Sequence, residues 1–239
     1  MFPFSDQIQL GKDLAIRADL AHDQIEKLLT SERVKKIHNV VDNRTFHVVA
    51  VLENIYDRGN ASAVMRSAEA LGISFVHSIE PGEKFKESQR TTAGADKWVE
   101  LKRWKSSAEC IAELKKQKKQ IVVTHLDSRS IPIHEVDFTK PTAIVLGNEK
   151  DGVSKEMIEA ADARVILPMV GFVQSYNISV AGALCFYHIY MDRMRRQEHH
   201  GDLSENEKMI LRAYYYMRTQ PSSEEILKDF ALRTMKEGK

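Results

Sequence analysis

An α/β fold built on a parallel sheet is predicted by three observations. Short apolar runs such as Val48-Val49-Ala50-Val51-Leu52 lack polar alternation, the pattern of a strand buried on both faces. Segments of helical periodicity separate these runs, so strands and helices alternate through the middle of the chain. Glycines such as Gly72, Gly147 and Gly171 fall where one kind of element gives way to the next.

In chain order, residues 5–29 read as an amphipathic helix, with Leu14, Ala21, Ile25 and Leu28 at helical spacing. Ser31 offers a cap to a second helix, where Val34, Ile37 and Val41 share one face and Arg33, Lys35 and Lys36 occupy the other. Residues 1–43 therefore form an N-terminal helical extension. The core, 44–196, opens on the strand at 48–52. A helix over 61–71 stops at Gly72, a C-cap, and a strand follows at 73–76. A helix at 107–119 precedes strands at 121–124 and 143–146. A helix at 154–162 leads to a strand at 164–167, and a last core helix spans 178–195. That helix carries Val180, Ala181, Ala183, Leu184, Cys185, Phe186, Ile189 and Tyr190 around most of its circumference, which predicts burial, in part against another subunit. Beyond it, His199-His200-Gly201-Asp202 reads as a linker. Two helices at 204–218 and 223–236 make a C-terminal helical extension, 197–239.

The 239 residues permit one large domain with extensions and a compact core. Lys and Arg total 35 against 34 acidic residues, so only local clustering can point to a polyanion. Cys110 and Cys185 fit no metal spacing and no disulfide framework, which predicts a reducing cytoplasm and no metal. No apolar run reaches about 18 residues, so no membrane span is expected, and the N-terminus lacks the pattern of a signal peptide.

Three segments carry chemistry. The first is Glu53-Asn54-Ile55-Tyr56-Asp57-Arg58-Gly59-Asn60, followed by a helix bearing Arg66. It leaves a strand at the edge where open α/β sheets bind ligands. Asn60 has a plain reading as an N-cap. Arg66, opposite Val64, Ala68 and Leu71, has one as a solvated helix position. The second is Gly147-Asn148-Glu149-Lys150-Asp151-Gly152-Val153-Ser154. Its glycines have the spacing of a phosphate loop, but Val153 stands where that loop needs lysine. The third runs from Leu167 through Pro168 and Gly171 to Gln174-Ser175-Tyr176-Asn177-Ile178-Ser179, where Ser175, Asn177 or Ser179 caps the next helix. No G-x-G-x-x-G occurs, so a dinucleotide site has no support.

Taken in this order, the segments resemble the SpoU branch of the SPOUT methyltransferases, and within it the enzymes that methylate guanosine ribose in transfer RNA. The likeness covers about Arg33 to Arg196. It includes Leu52-Glu53-Asn54, Asn60 with Arg66, Gly94, Lys97-Trp98, Thr124-His125, Thr139-Lys140-Pro141-Thr142-Ala143 and Gln174-Ser175-Tyr176-Asn177. The resemblance implies a trefoil-knotted α/β fold, a homodimer, and 2'-O-methylation of RNA with S-adenosylmethionine, here on the D-loop of a tRNA. It places cofactor contacts at Thr124, Gly147, Leu167 and Tyr176. It places the family's functional residues at Asn60, Arg66, Glu149, Ser175 and Asn177. Gly59 stands where relatives often carry histidine, and Tyr176 where leucine is commoner.

Arg66, with a side-chain pKa of about 12.5–13.8, is a poor free base. A clamp on phosphate that also stabilises the developing alkoxide suits it better. Basic residues flank the core at Arg33, Lys35, Lys36 and Arg44 and again at Arg193, Arg195 and Arg196. Arg212 and Arg218 interleave with Tyr214, Tyr215 and Tyr216. Charged arms with aromatics suit RNA, and a solvated helical hairpin is the alternative for the tyrosine segment. Two other functions stand beside the first: methylation of ribosomal RNA, and RNA binding without catalysis.

Overall fold

The computed structural model describes residues 2–80 and 97–237. The chain divides into two compact units. One is Thr45–His200, and the other combines Phe2–Arg44 with Gly201–Lys239, so the two ends of the chain fold together.

The helix expected over 5–29 forms only in its second half. Strands β1 (Gln7–Gln9) and β2 (Ala15–Arg17) make an antiparallel hairpin, and α1 begins at Ala18 and ends at Glu26. Ile8, Leu10 and Ile16 are buried while the residues beside them are more exposed, a period of two that overrides the helical spacing read from Leu14 onward. Helix α2 spans Ser31–Asp42, and its cap is Thr30, whose hydroxyl accepts the Arg33 N–H.

In the Thr45–His200 unit, β3 (Val48–Glu53), β4 (Phe75–Ile79), β5 (Glu100–Trp104), β6 (Gln120–Thr124), β7 (Ile131–Pro132), β8 (Thr142–Leu146) and β9 (Ala163–Ile166) form one sheet. Its order is β5-β4-β3-β8-β6-β9-β7, and every pair is parallel. Helices α3 (Arg58–Ala70) and α6 (Ile178–Gln197) cover one face, and α4 (Ser107–Lys116) and α5 (Lys155–Ala160) the other. The unpatterned apolar runs follow from this layering. Val48, Ala50 and Leu52 enter the core beneath α3 and α6, while Val49 and Val51 enter the core beneath α4 and α5. Each fully buried valine or leucine among them contributes about 1.5–3 kcal/mol relative to exposure.

β5 has no counterpart in the sequence reading. Its residues Glu-Leu-Lys-Arg-Trp contain no apolar run, because it is an edge strand whose charges face outward. Gly72 is the turn glycine expected, at φ 74°.

Helix α6 is buried within the unit on one side only. Ile178, Gly182, Cys185, Phe186 and Ile189 are buried within the unit, whereas Val180, Leu184, Tyr187 and Met191 form an exposed stripe at i, i+4, i+7 and i+11. The expected linker at 199–202 is also tied down: buried Arg193 donates to the carbonyls of His200 and Phe138.

In the joint terminal unit, α7 (Glu205–Thr219) packs on α1 and α2, and α8 (Ser223–Glu237) follows it. Ser204 and Glu207 form a capping box at the start of α7.

Candidate active site

Because all seven strands run one way, the segments after β3, β6, β8 and β9 leave the same edge of the sheet. From β3 the chain moves outward to β4 on one side, while β8 is its neighbour on the other. The sequence order reverses there, the position where open α/β sheets bind ligands.

Three separate segments meet at that edge. Asn60, in the first turn of α3, donates from Nδ2 to Glu149 Oε1 at 2.5 Å. Its Oδ1 accepts from Asn177 Nδ2 at 3.2 Å. Asn177 is the N-cap of α6 and accepts the Ser179 N–H at 2.9 Å. Asn60 itself is not a cap. Asp57 caps α3, accepting from Gly59 N and Asn60 N at 2.6 and 3.1 Å, which starts the helix one turn earlier than expected and leaves the Asn60 amide for the site.

The segment after β8 folds back on itself. Asn148 and Gly152 exchange N–H···O bonds of 3.1 Å, and Gly152 takes φ 70°. A Cβ on Gly147 would lie 2.2 Å from the Gly152 carbonyl carbon, so only glycine fits there. Asn148 Oδ1 accepts the N–H groups of Lys150 and Asp151. Those amides are the ones a phosphate loop would aim at its ligand, a second obstacle to that reading beside Val153.

Glu53, the last residue of β3, opens the first of the three sequence segments but was assigned no role there. It is fully buried. Oε2 accepts Ser154 N at 2.7 Å, and Oε1 accepts Ser154 Oγ at 2.7 Å and also Ser107 Oγ. The signal was an acid ending an otherwise unbroken apolar run.

Thr124 and Leu167 lie at or just past the ends of β6 and β9, and Gly147 just past β8. These three strands are consecutive in the sheet, and Thr124 pairs with Val165 of β9 and follows Val123, which pairs with Val145 of β8. The Thr124 hydroxyl donates to Val145 O at 3.0 Å, and the Leu167 side chain packs against the core. Tyr176 donates to Pro168 O at 2.9 Å, closing the loop that exposes Val170, Phe172 and Val173. Ser175 is exposed and makes no hydrogen bond among the described residues. Arg66 is likewise exposed, unpaired among the described residues, and about 9 Å along α3 from Asn60. Gly94 lies outside the described residues.

Beside Thr124, Asp127 braces the turn after β6. Desolvation pushes its carboxyl up, but the Arg129 N–H, the Arg164 guanidinium at 2.5 Å and the Ser130 hydroxyl together hold its pKa down to about 2. A depressed carboxyl contributes stability above its unfolded value near 3.8, and that stability is lost as pH falls through the folded value. The melting-temperature gap between the native chain and Asp127→Asn is therefore expected to narrow between about pH 4 and pH 2. A gap that holds constant across this range would remove the brace.

The basic and aromatic arms are partly structural. Tyr215 and Tyr216 are buried, and burial pushes the Tyr216 phenol up to about 12. Arg44 is buried over the Tyr215 ring, Arg212 pairs with Asp42, and Arg195 and Arg196 pair with buried Asp192. Arg33, Lys35 and Lys36 on α2 remain exposed, without an ion pair among the described residues. Cys110 and Cys185 are free and buried, their thiols pushed up to about 12 chiefly by desolvation. Among the described residues no cluster of His, Cys, Asp and Glu is placed to hold a metal, and no helix is long and apolar enough to cross a membrane.

A parallel sheet with an asparagine–glutamate–asparagine cluster at its C-terminal edge coincides with a defined family. The SpoU rRNA Methylase family matches residues 47–187, and the chain belongs to it. It is similar to the tRNA (guanosine(18)-2'-O)-methyltransferase of Borreliella burgdorferi, 39% identical over 80% of this chain and 88% of that one. The enzyme of the same name from Aquifex aeolicus is 34% identical over 80% of this chain and 92% of that one. The crystal structure of the A. aeolicus TrmH/SpoU tRNA modifying enzyme superposes with a TM-score of 0.70 at 33% identity, covering 80% of this chain and 96% of that one.

Proposed function

We infer that this chain is a methyltransferase that uses S-adenosylmethionine to methylate the ribose 2'-hydroxyl of a guanosine in the D-loop of tRNA. The observation that carries the reading is the hydrogen-bonded meeting of Asn60, Glu149 and Asn177 from three segments far apart in sequence. The names of the relatives favour tRNA over ribosomal RNA.

The residues fit the cofactor. Gly147, Thr124 and Leu167 line one edge of three adjacent strands, where backbone groups and apolar side chains suit an adenosyl group. When bound, S-adenosylmethionine supplies an electrophilic methyl group on a sulfonium. Tyr176 and Ser175 belong to the loop that follows β9, and Asn177 holds the loop's end to Asn60. Asn60 and Glu149 orient the ribose. Arg66 would hold the phosphate and stabilise the negative charge developing on the hydroxyl oxygen, whose proton passes to solvent. Exposed Arg33, Lys35 and Lys36 supply an RNA backbone contact of the terminal unit.

The test is incubation of the purified chain with radiolabelled S-adenosylmethionine and unmodified tRNA or ribosomal RNA fragments, with the methylated nucleotide mapped by mass spectrometry. A 2'-O-methylguanosine in the tRNA D-loop is expected. Methylation of ribosomal RNA alone would move the substrate, and RNA binding with no transfer would make the chain a binding protein.

The exposed stripe Val180, Leu184, Tyr187 and Met191 supports a homodimer, with α6 as the paired face. Sedimentation at micromolar concentration is expected to show a dimer, and Leu184→Glu a monomer. A native monomer would refute this. The family's knot is part of the same reading, supported by β8 lying between β3 and β6 and by α6 packing on α3. Pulling the chain from its ends should yield a contour shorter than an unknotted chain of equal length. A full-length contour would exclude the knot.

A further inference from the structure

We propose that Glu53 is a positioning residue for methyl transfer, acting by holding the Glu149 segment in register with Asn60. The proposal rests on the function inferred above. Glu53 ends β3, so its backbone begins the segment that leads to Asn60. Its carboxylate grips the far end of the other segment through both the N–H and the hydroxyl of Ser154. Ser154 is also the N-cap of α5, accepting the Met157 N–H. One carboxylate thereby ties together the start of one site segment and the end of another, and the Asn60–Glu149 bond spans the gap between them.

Among the described residues, the charge has no cationic partner in the hydrogen bonds made by its oxygens. Its oxygens are met instead by the Ser107 hydroxyl in the first turn of α4, whose partial positive end favours an anion, and by the N–H and hydroxyl of Ser154. Burying a carboxylate is costly, and a core position needs none. Two apolar side chains would pack this strand end as well. What they would not do is fix the 147–154 segment by direction as well as distance.

The two serines separate positioning from mere stability. Both give Glu53 a hydroxyl, but only Ser154 belongs to the segment that carries Glu149. Ser154→Ala is expected to lower kcat at least about tenfold, within the hundredfold that a displacement of about 1 Å costs. The KM for S-adenosylmethionine should change less than about threefold, because the Asn148–Gly152 pairing holds the Gly147 end independently. Ser154→Thr, which keeps the hydroxyl, should restore kcat. Ser107→Ala should cost similar melting temperature and leave kcat near native. Equal losses of kcat in the two alanine variants, or none in either, would overturn the proposal. The side-chain amide signal of Asn60, read by NMR in selectively labelled protein, gives a second readout. Ser154→Ala should shift it and Ser107→Ala should not. If the native chain transfers no methyl group, the functional reading falls, and an unshifted Asn60 signal in Ser154→Ala would overturn the positioning role separately.

Discussion

Arg66→Ala is expected to slow single-turnover methyl transfer by about 10²–10³-fold, the cost of removing one donor that stabilises a developing oxyanion. The same change should leave the fold intact. Arg66 is exposed on α3 and makes no hydrogen bond or ion pair among the described residues, so its truncation falls among surface substitutions worth within about 0.5 kcal/mol. Affinity for S-adenosylmethionine should also hold, because the proposed cofactor positions lie at or just past the ends of β8, β6 and β9 rather than on α3. Arg66→Lys should recover little, since an ammonium does not reproduce a planar fork of donors. The measurement is rapid-quench transfer and cofactor titration on the same protein. Near-native transfer by Arg66→Ala would return Arg66 to a solvated helix position and remove the residue on which the proposed chemistry leans most.

Gly147→Ala is expected to abolish useful cofactor binding, with affinity for S-adenosylmethionine falling at least about a hundredfold, or about 2.8 kcal/mol. The added Cβ would stand 2.2 Å from the carbonyl carbon of Gly152 and 2.3 Å from its oxygen and from Val153 N. All three atoms are backbone, so no side chain can swing aside. The turn must open and lose the paired Asn148–Gly152 bonds. Gly152→Ala makes the informative contrast. A Cβ there meets nothing within 4 Å, and its cost is only that of a left-handed φ, about 1–2 kcal/mol. Isothermal titration should therefore rank Gly147→Ala well below Gly152→Ala. The opposite ranking would mean that backbone conformation, not close approach, shapes this segment.

Most strands and helices of the core were legible because burial on both faces writes unbroken apolar runs, and packing on one face writes helical spacing. What failed was local. The first part of the helix read over 5–29 is a hairpin, because Ile8, Leu10 and Ile16 bury one face of paired strands and override the helical spacing of Leu14. β5 stayed hidden because an edge strand carries Lys102 and Arg103 in place of an apolar run. The arginines and tyrosines read as an RNA-facing arm proved partly interior, since a side chain's amphipathic length suits a packed pair as well as a solvated surface.

The sequence by itself determined the layered α/β plan, the glycine turns and the presence of a family motif set from Asn60 to Asn177. Composition and periodicity act over a few neighbouring residues, and these features are local. Only the tertiary structure decided that Asn60 bonds Glu149 and Asn177, that Asp57 rather than Asn60 caps α3, and that the two ends of the chain share one unit. It also revealed that a buried Glu53 clamps Ser154, 101 residues away. Such pairings depend on strand order, and strand order is set by which apolar faces bury together, a competition over the whole chain that no single window of sequence contains.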